Sequence, residues 1–147
     1  MRVKKLDPKA VVPTRAHDDD AGVDLYAFED VPYKSYTRLM VPTRIAIEIP
    51  KGYVGLVRDR SSVAIQKRLK VTAGVIDAGY TGEVNIVLEE LAGEYGCVQR
   101  GEKIAQILLI PIATPPIVVV ESLTTETERK DKGFGSTGWG VRFPNDE

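Results

Sequence analysis

The sequence predicts an all-β domain, and three observations carry that expectation. Short runs rich in β-branched or apolar residues recur, Pro, Gly and Asp punctuate them, and no window of helical length sustains a 3.6-residue apolar period. The runs begin at Val3, Val23, Thr37, Arg44, Tyr53, Glu83, Lys103 and Ile117. Breaks fall at Pro32, at Pro42, from Pro50 to Gly52, from Asp77 to Gly82, and at Pro115 with Pro116. RIAIEI, Arg44 to Ile49, alternates so that Ile45, Ile47 and Ile49 share one face. The best helical piece is Ser61 to Arg68, where two serines offer an N-cap. Many short strands with little helix imply a sandwich or barrel.

At 147 residues the chain is long enough for one real hydrophobic core. Apolar residues at 43% and charged residues at 28% place it among globular proteins. Twenty basic against 21 acidic residues leave a formal charge of -1, which speaks against stable nucleic-acid or membrane-surface binding. A polyanionic small ligand would then need local basic groups or a metal. The single cysteine, Cys97, rules out an intrachain disulfide and fits a reducing compartment. With no apolar leader or membrane-length run, the expected location is cytoplasmic. Residues 1–123 read as the folded core and 124–147 as a C-terminal arm.

Five stretches hold chemistry-bearing residues. RKDKGFGSTGWG, Arg129 to Gly140, reads either as a frayed terminus or as a nucleotide lid. In the second reading its glycines bring backbone N–H groups close to a ligand, Arg129 matches phosphate oxygens, and Phe134 covers a flat ring. GVIDAGYTGEVN, Gly74 to Asn85, reads as a hairpin. It is either an ordinary turn capped by Asp77, or a backbone edge that reads uracil and excludes the thymine methyl. In RSS, Arg60 to Ser62, an arginine and two hydroxyls open the helical turn, which suits either an N-cap or an anion site. Asp24 in AGVDL is a turn cap or a magnesium ligand through water. Gln106 in RGEKIAQI is a buried hydrogen-bonder or a substrate contact. HDDD, His17 to Asp20, lacks a partner histidine and reads as a solvated loop.

In this order the stretches resemble the five motifs of the trimeric dUTP pyrophosphatases (dUTPases): AGVDL, RSSVA, GVIDAGYTGE, RGEKIAQ and RKDKGFGSTG. The resemblance runs from about residue 10 to residue 140. It implies a β-barrel of jelly-roll type with one short helical segment and a flexible C-terminal arm. It also implies a homotrimer with active sites at subunit interfaces, and Mg²⁺-dependent hydrolysis of dUTP to dUMP and pyrophosphate. That reaction limits uracil incorporation into DNA and supplies dUMP for thymidylate synthesis.

Carried over by position, the resemblance makes Asp77 the general base, with Gln106 and Arg129 beside it in the catalytic set. Tyr80 would pack under the deoxyribose, while Gly74, Val75, Ile76 and Asn85 read the uracil. Arg60, Ser61, Ser62 and Gln106 would hold phosphates, and Asp24 would bind Mg²⁺ through water. Phe134 would stack on the base, with Arg129, Gly135, Ser136 and Thr137 on the outer phosphates. Departures from the family pattern fall at Asp59, where Pro is frequent, at Ser62, often Gly, and at Lys130 and Lys132, often Gly. The dCTP deaminases share the fold and a related Arg-Ser-Ser motif, but their acid/base pair is replaced here by Ile65 and Val87. A non-catalytic nucleotide-binding protein of the same fold is the third reading.

Overall fold

A computed structural model describes residues 1–123 of the chain. The site residues expected at Arg129, Phe134, Gly135, Ser136 and Thr137 lie outside these, as do Lys130 and Lys132. The chain divides into two compact units, Met1–Thr114 and Pro115–Glu147.

All strands and the single helix of the described residues lie in the first unit. In chain order they are β1 (Arg2–Lys5), β2 (Val23–Tyr26), β3 (Val31–Tyr33), β4 (Arg38–Val41), β5 (Ile45–Glu48), β6 (Tyr53–Arg58), α1 (Ser61–Gln66), β7 (Leu69–Ala73), β8 (Val75–Ile76), β9 (Ile86–Glu90), β10 (Gly96–Val98) and β11 (Lys103–Pro111). Described residues of the second unit, 115–123, form neither strand nor helix, so the strand expected from Ile117 is absent.

The all-β expectation holds, but the barrel does not. The strands fall into four separate sheets, ordered β1-β5, β10-β3, β2-β11-β6-β8 and β4-β9-β7, and none closes on itself. Most strands are only two to six residues long, and ladder irregularities interrupt β11 between Lys103 and Ala105 and β7 between Val71 and Ala73. Such short ladders end before a sheet can curl to closure.

The core lies between these sheets. Leu25, Val41, Ile45, Ile47, Ile86, Leu88, Ile104 and Ile107 are all essentially inaccessible. Ile45, Ile47 and Ile49 are buried together, as the alternation of RIAIEI requires.

Two local expectations need correction. The helix is shorter than Ser61–Arg68, and its N-cap is Arg60, which makes no side-chain cap. Gly74 to Asn85 is not a hairpin, because its arms enter different sheets: β8 pairs with β6, while β9 pairs with β4 and β7. The turn between them is closed by the Tyr80 N–H donating to the Asp77 carbonyl at 3.0 Å.

Candidate active site

Strand β11 organises the site. It is central in its sheet, flanked by β2 and β6, with Gln106 opposite Asp24 on one side and Arg58 on the other. Between Lys103 and Ala105 the β11–β2 register slips, and Ile104 and Ala105 are both buried. A bulge of this kind lets residues three apart share a face. Lys103 pairs with Tyr26 and Gln106 with Asp24, and Asp24 and Tyr26 are two apart on β2. Lys103, Gln106, Asp24 and Tyr26 therefore stand on one side of the sheet.

Asp24 is 7% exposed between Val23 and Leu25, yet it is not solitary. The Arg60 guanidinium closes on its Oδ1, and Lys103 Nζ lies 2.8 Å from its Oδ2. Two cations thus compensate a carboxylate that burial would otherwise penalise. Strand β6 delivers Arg60 at the start of α1, and its Nε is buried with no hydrogen-bond partner. The Gln106 amide Nε2 donates to the Asp59 carbonyl at 2.8 Å. Asp59 in turn accepts the Val71 N–H on Oδ1 at 2.5 Å, tying the turn before α1 to β7.

These groups line a cavity of about 340 Å³, bounded by Asp20, Gly22, Asp24, Arg60, Ser61 and Gln106. Ser62 lines a neighbouring space of about 300 Å³ with Arg60, Lys67, Glu102 and Lys103. Cations, hydroxyls and an amide converging on cavities of this size suit a polyanionic ligand. His17 to Asp20 forms a turn, in which the His17 N–H donates to Asp20 Oδ2 at 2.9 Å. No three His, Cys, Asp or Glu side chains converge as metal ligands among the described residues.

The residues expected to read the base line neither cavity. Strand β8 is the last in its sheet, so one edge of Val75 and Ile76 has no strand beside it. The Gly74 carbonyl is already taken by the Val57 N–H at 2.7 Å. Asp77 is exposed, Asn85 half-buried and Tyr80 44% exposed. The Tyr80 hydroxyl donates to the Glu83 carbonyl at 2.9 Å, and Gly82 makes room for the ring: a Cβ there would lie 2.5 Å from the phenol oxygen.

Residue reasoning missed Lys103 and the structural role of Asp59. The Asp59 side-chain bond gives the polar residue at this position a structural role. The bulge hides Lys103, because strict alternation would set it on the opposite face from Gln106.

Described residues that are all-β but for one short helix, and that gather cations and hydroxyls around the buried Asp24 carboxylate, fit the class of nucleotide- or phosphate-binding β proteins. A model of the dUTPase family matches residues 8–138. The chain is 41% identical over 145 residues to a deoxyuridine 5′-triphosphate nucleotidohydrolase of Mycolicibacterium gilvum, covering 94% of each chain. It is also 41% identical over 138 residues to that of Clostridium novyi, covering 92% of this chain and 96% of the other. Among solved structures it is similar to a Staphylococcus bacteriophage 80alpha dUTPase mutant with dUpNHpp, with a TM-score of 0.86 and 32% identity over 94% of this chain and 98% of the other. A dUTPase mutant from phage phi11 of S. aureus, described with a structural Mg(II) ion, gives a TM-score of 0.77 at 31% identity, covering 84% of this chain and 98% of the other. The chain belongs to the dUTPase family.

Proposed function

We infer that this chain hydrolyses dUTP to dUMP and pyrophosphate. One observation carries the reading beyond family membership: Arg60, Ser61 and Gln106 line one cavity beside Asp24, as a triphosphate site requires.

Phosphoryl transfer depends on positioning and charge compensation more than on covalent catalysis. Arg60, Ser61, Ser62 and Gln106 hold the phosphate chain. Asp77 orients a water molecule and takes its proton as the oxygen attacks the α-phosphorus. The bond from that phosphorus to the bridging oxygen of the β-phosphate breaks, and pyrophosphate leaves. The free edge at Val75 and Ile76, with Gly74 and Asn85, reads uracil. Tyr80 packs under the sugar, where a ribose 2′-hydroxyl would collide with the ring.

Magnesium fits this donor set. It keeps most of its waters and takes one or two carboxylates with substrate phosphates, and Asp24, which here faces Arg60 and Lys103, would supply such a carboxylate. When bound, the ion neutralises phosphate charge. The family resemblance would bring residues 124–147, which lie outside the described residues, over the nucleotide, with Phe134 on the base and Arg129, Gly135, Ser136 and Thr137 on the outer phosphates. The family resemblance would complete such a site between the chains of a homotrimer, and it is consistent with this that Asp77 and Tyr80 line neither cavity.

Product analysis tests the assignment. dUTP with Mg²⁺ should yield dUMP and pyrophosphate in equal amounts. Formation of dUDP and phosphate would reject the α-phosphorus as the point of attack. Ammonia release from dCTP would instead favour the deaminase chemistry.

A further inference from the structure

Lys103 has no assigned part in the reaction, yet it lies 2.8 Å from the carboxylate proposed to meet the metal. Its reach is built in. The bulge at Ile104 and Ala105 turns Lys103 to the Asp24 side of the sheet, and its ammonium stands 5.9 Å from the centre of the Tyr26 ring. Tyr26 is held by a 2.5 Å hydrogen bond between its hydroxyl and Thr14 Oγ1. With Arg60 on Oδ1 and Lys103 on Oδ2, both oxygens of Asp24 face cations. A hydrated divalent ion approaching this carboxylate meets two positive charges that oppose its binding.

The two cations differ in how readily they can leave. The Arg60 side chain is 26% exposed with a buried Nε, whereas Lys103 is 40% exposed on a flexible four-carbon stem. Lys103 also borders the neighbouring cavity beside Arg60 and Ser62, where its ammonium can move toward incoming phosphate oxygens.

We propose that Lys103 is a displaceable counter-ion that closes Asp24 to free divalent metal and yields it only when the metal arrives with a nucleotide triphosphate. Phosphate oxygens then provide both the metal's remaining ligands and a new partner for the ammonium. The consequence is an order of events: the enzyme takes a metal–nucleotide complex and does not load metal first. This inference rests on the proposed metal role of Asp24. Its test requires no turnover, so its failure is distinguishable from failure of the hydrolase assignment.

Mn²⁺ serves as the probe, with free ion counted by electron paramagnetic resonance in nucleotide-free protein. The wild type should bind Mn²⁺ weakly. Lys103→Met should bind one ion at least about tenfold more tightly, because a positive charge in contact with the carboxylate has been removed. Lys103→Gln should shift the same way, and circular dichroism checks that both variants fold. Adding Asp24→Asn to Lys103→Met should abolish the gain. In the presence of a non-hydrolysable dUTP analogue, wild type and Lys103→Met should bind Mn²⁺ with closely similar affinity. Equal nucleotide-free affinities for wild type and both variants would overturn the proposal. So would a gain that survives Asp24→Asn, or one that persists undiminished with the analogue bound.

Discussion

Arg60 and Asp24, far apart in sequence, meet as an ion pair in which a guanidinium after β6 closes on a carboxylate buried in β2. The pair does two things at once: it compensates the buried Asp24 and fixes Arg60 at the cavity proposed to hold the phosphates. Replacing Arg60 by Lys keeps the charge but loses the planar fork. The expected loss in kcat/KM for Arg60→Lys is about 10²–10³-fold, that of a transition-state donor. Steady-state kinetics that leave kcat/KM within error of wild type would place the phosphates elsewhere.

Gly22 sits against Gln106, and a Cβ at that position would overlap Gln106 Oε1. The obstacle is the end of a flexible side chain, so Gly22→Ala should fold and keep a nearly unchanged Tm. The displaced amide would lose the Asp59 carbonyl, and a small misplacement at the phosphates costs about 10²-fold in rate. A large fall in Tm with normal specific activity would show that Gly22 serves packing alone.

Asp77→Asn isolates the proposed general base. The residue is exposed, so the fold should tolerate the amide, and nucleotide affinity measured by calorimetry should persist. Turnover should fall about 10²–10⁴-fold. A near-normal kcat would remove Asp77 from the mechanism.

Glu90 links stability to pH away from the site. It is 1% exposed at the end of β9, and its carboxylate accepts the N–H groups of Tyr36, Ala92 and Gly93 at 2.8, 2.7 and 2.9 Å. Burial pushes its pKa up, but these backbone donors outweigh that and hold it below the ordinary 4.5. A lowered folded pKa gives stability that is fully present above the unfolded value and lost as pH falls through the folded one. Thermal melts should therefore show Tm dropping below about pH 4.5, with a shallower acid slope and a lower neutral-pH Tm in Glu90→Gln. An unchanged slope in that variant would assign the acid transition to other carboxylates.

Much of this was legible in the residues themselves. The alternation of Ile45, Ile47 and Ile49 marks a buried face because strand side chains repeat every two residues. Asp24 stands out because a carboxylate among apolar strand residues needs a partner. The partners are less visible, since Arg60 and Lys103 reach Asp24 through long-range pairing of β2, β11 and β6. Strand periodicity would set Lys103 and Gln106 on opposite faces, so the bulge that brings them to one side cannot be read from it. The turn glycines of the 74–85 segment suggested a hairpin, yet its arms pair with strands from elsewhere in the chain. Closure into a barrel, likewise, depends on how strands join across sheets, and local turn chemistry carries no information about that.

The central claim is selective hydrolysis of dUTP, and the most direct measurement is kcat/KM for dUTP, UTP, dTTP and dCTP in parallel with Mg²⁺. The roles proposed for Tyr80 against the sugar and for the free edge at Val75 and Ile76 against the base predict that dUTP exceeds each of the others by at least about 10²-fold. Comparable values for UTP would contradict the role of Tyr80, and comparable values for dTTP or dCTP would contradict recognition of uracil by the strand edge.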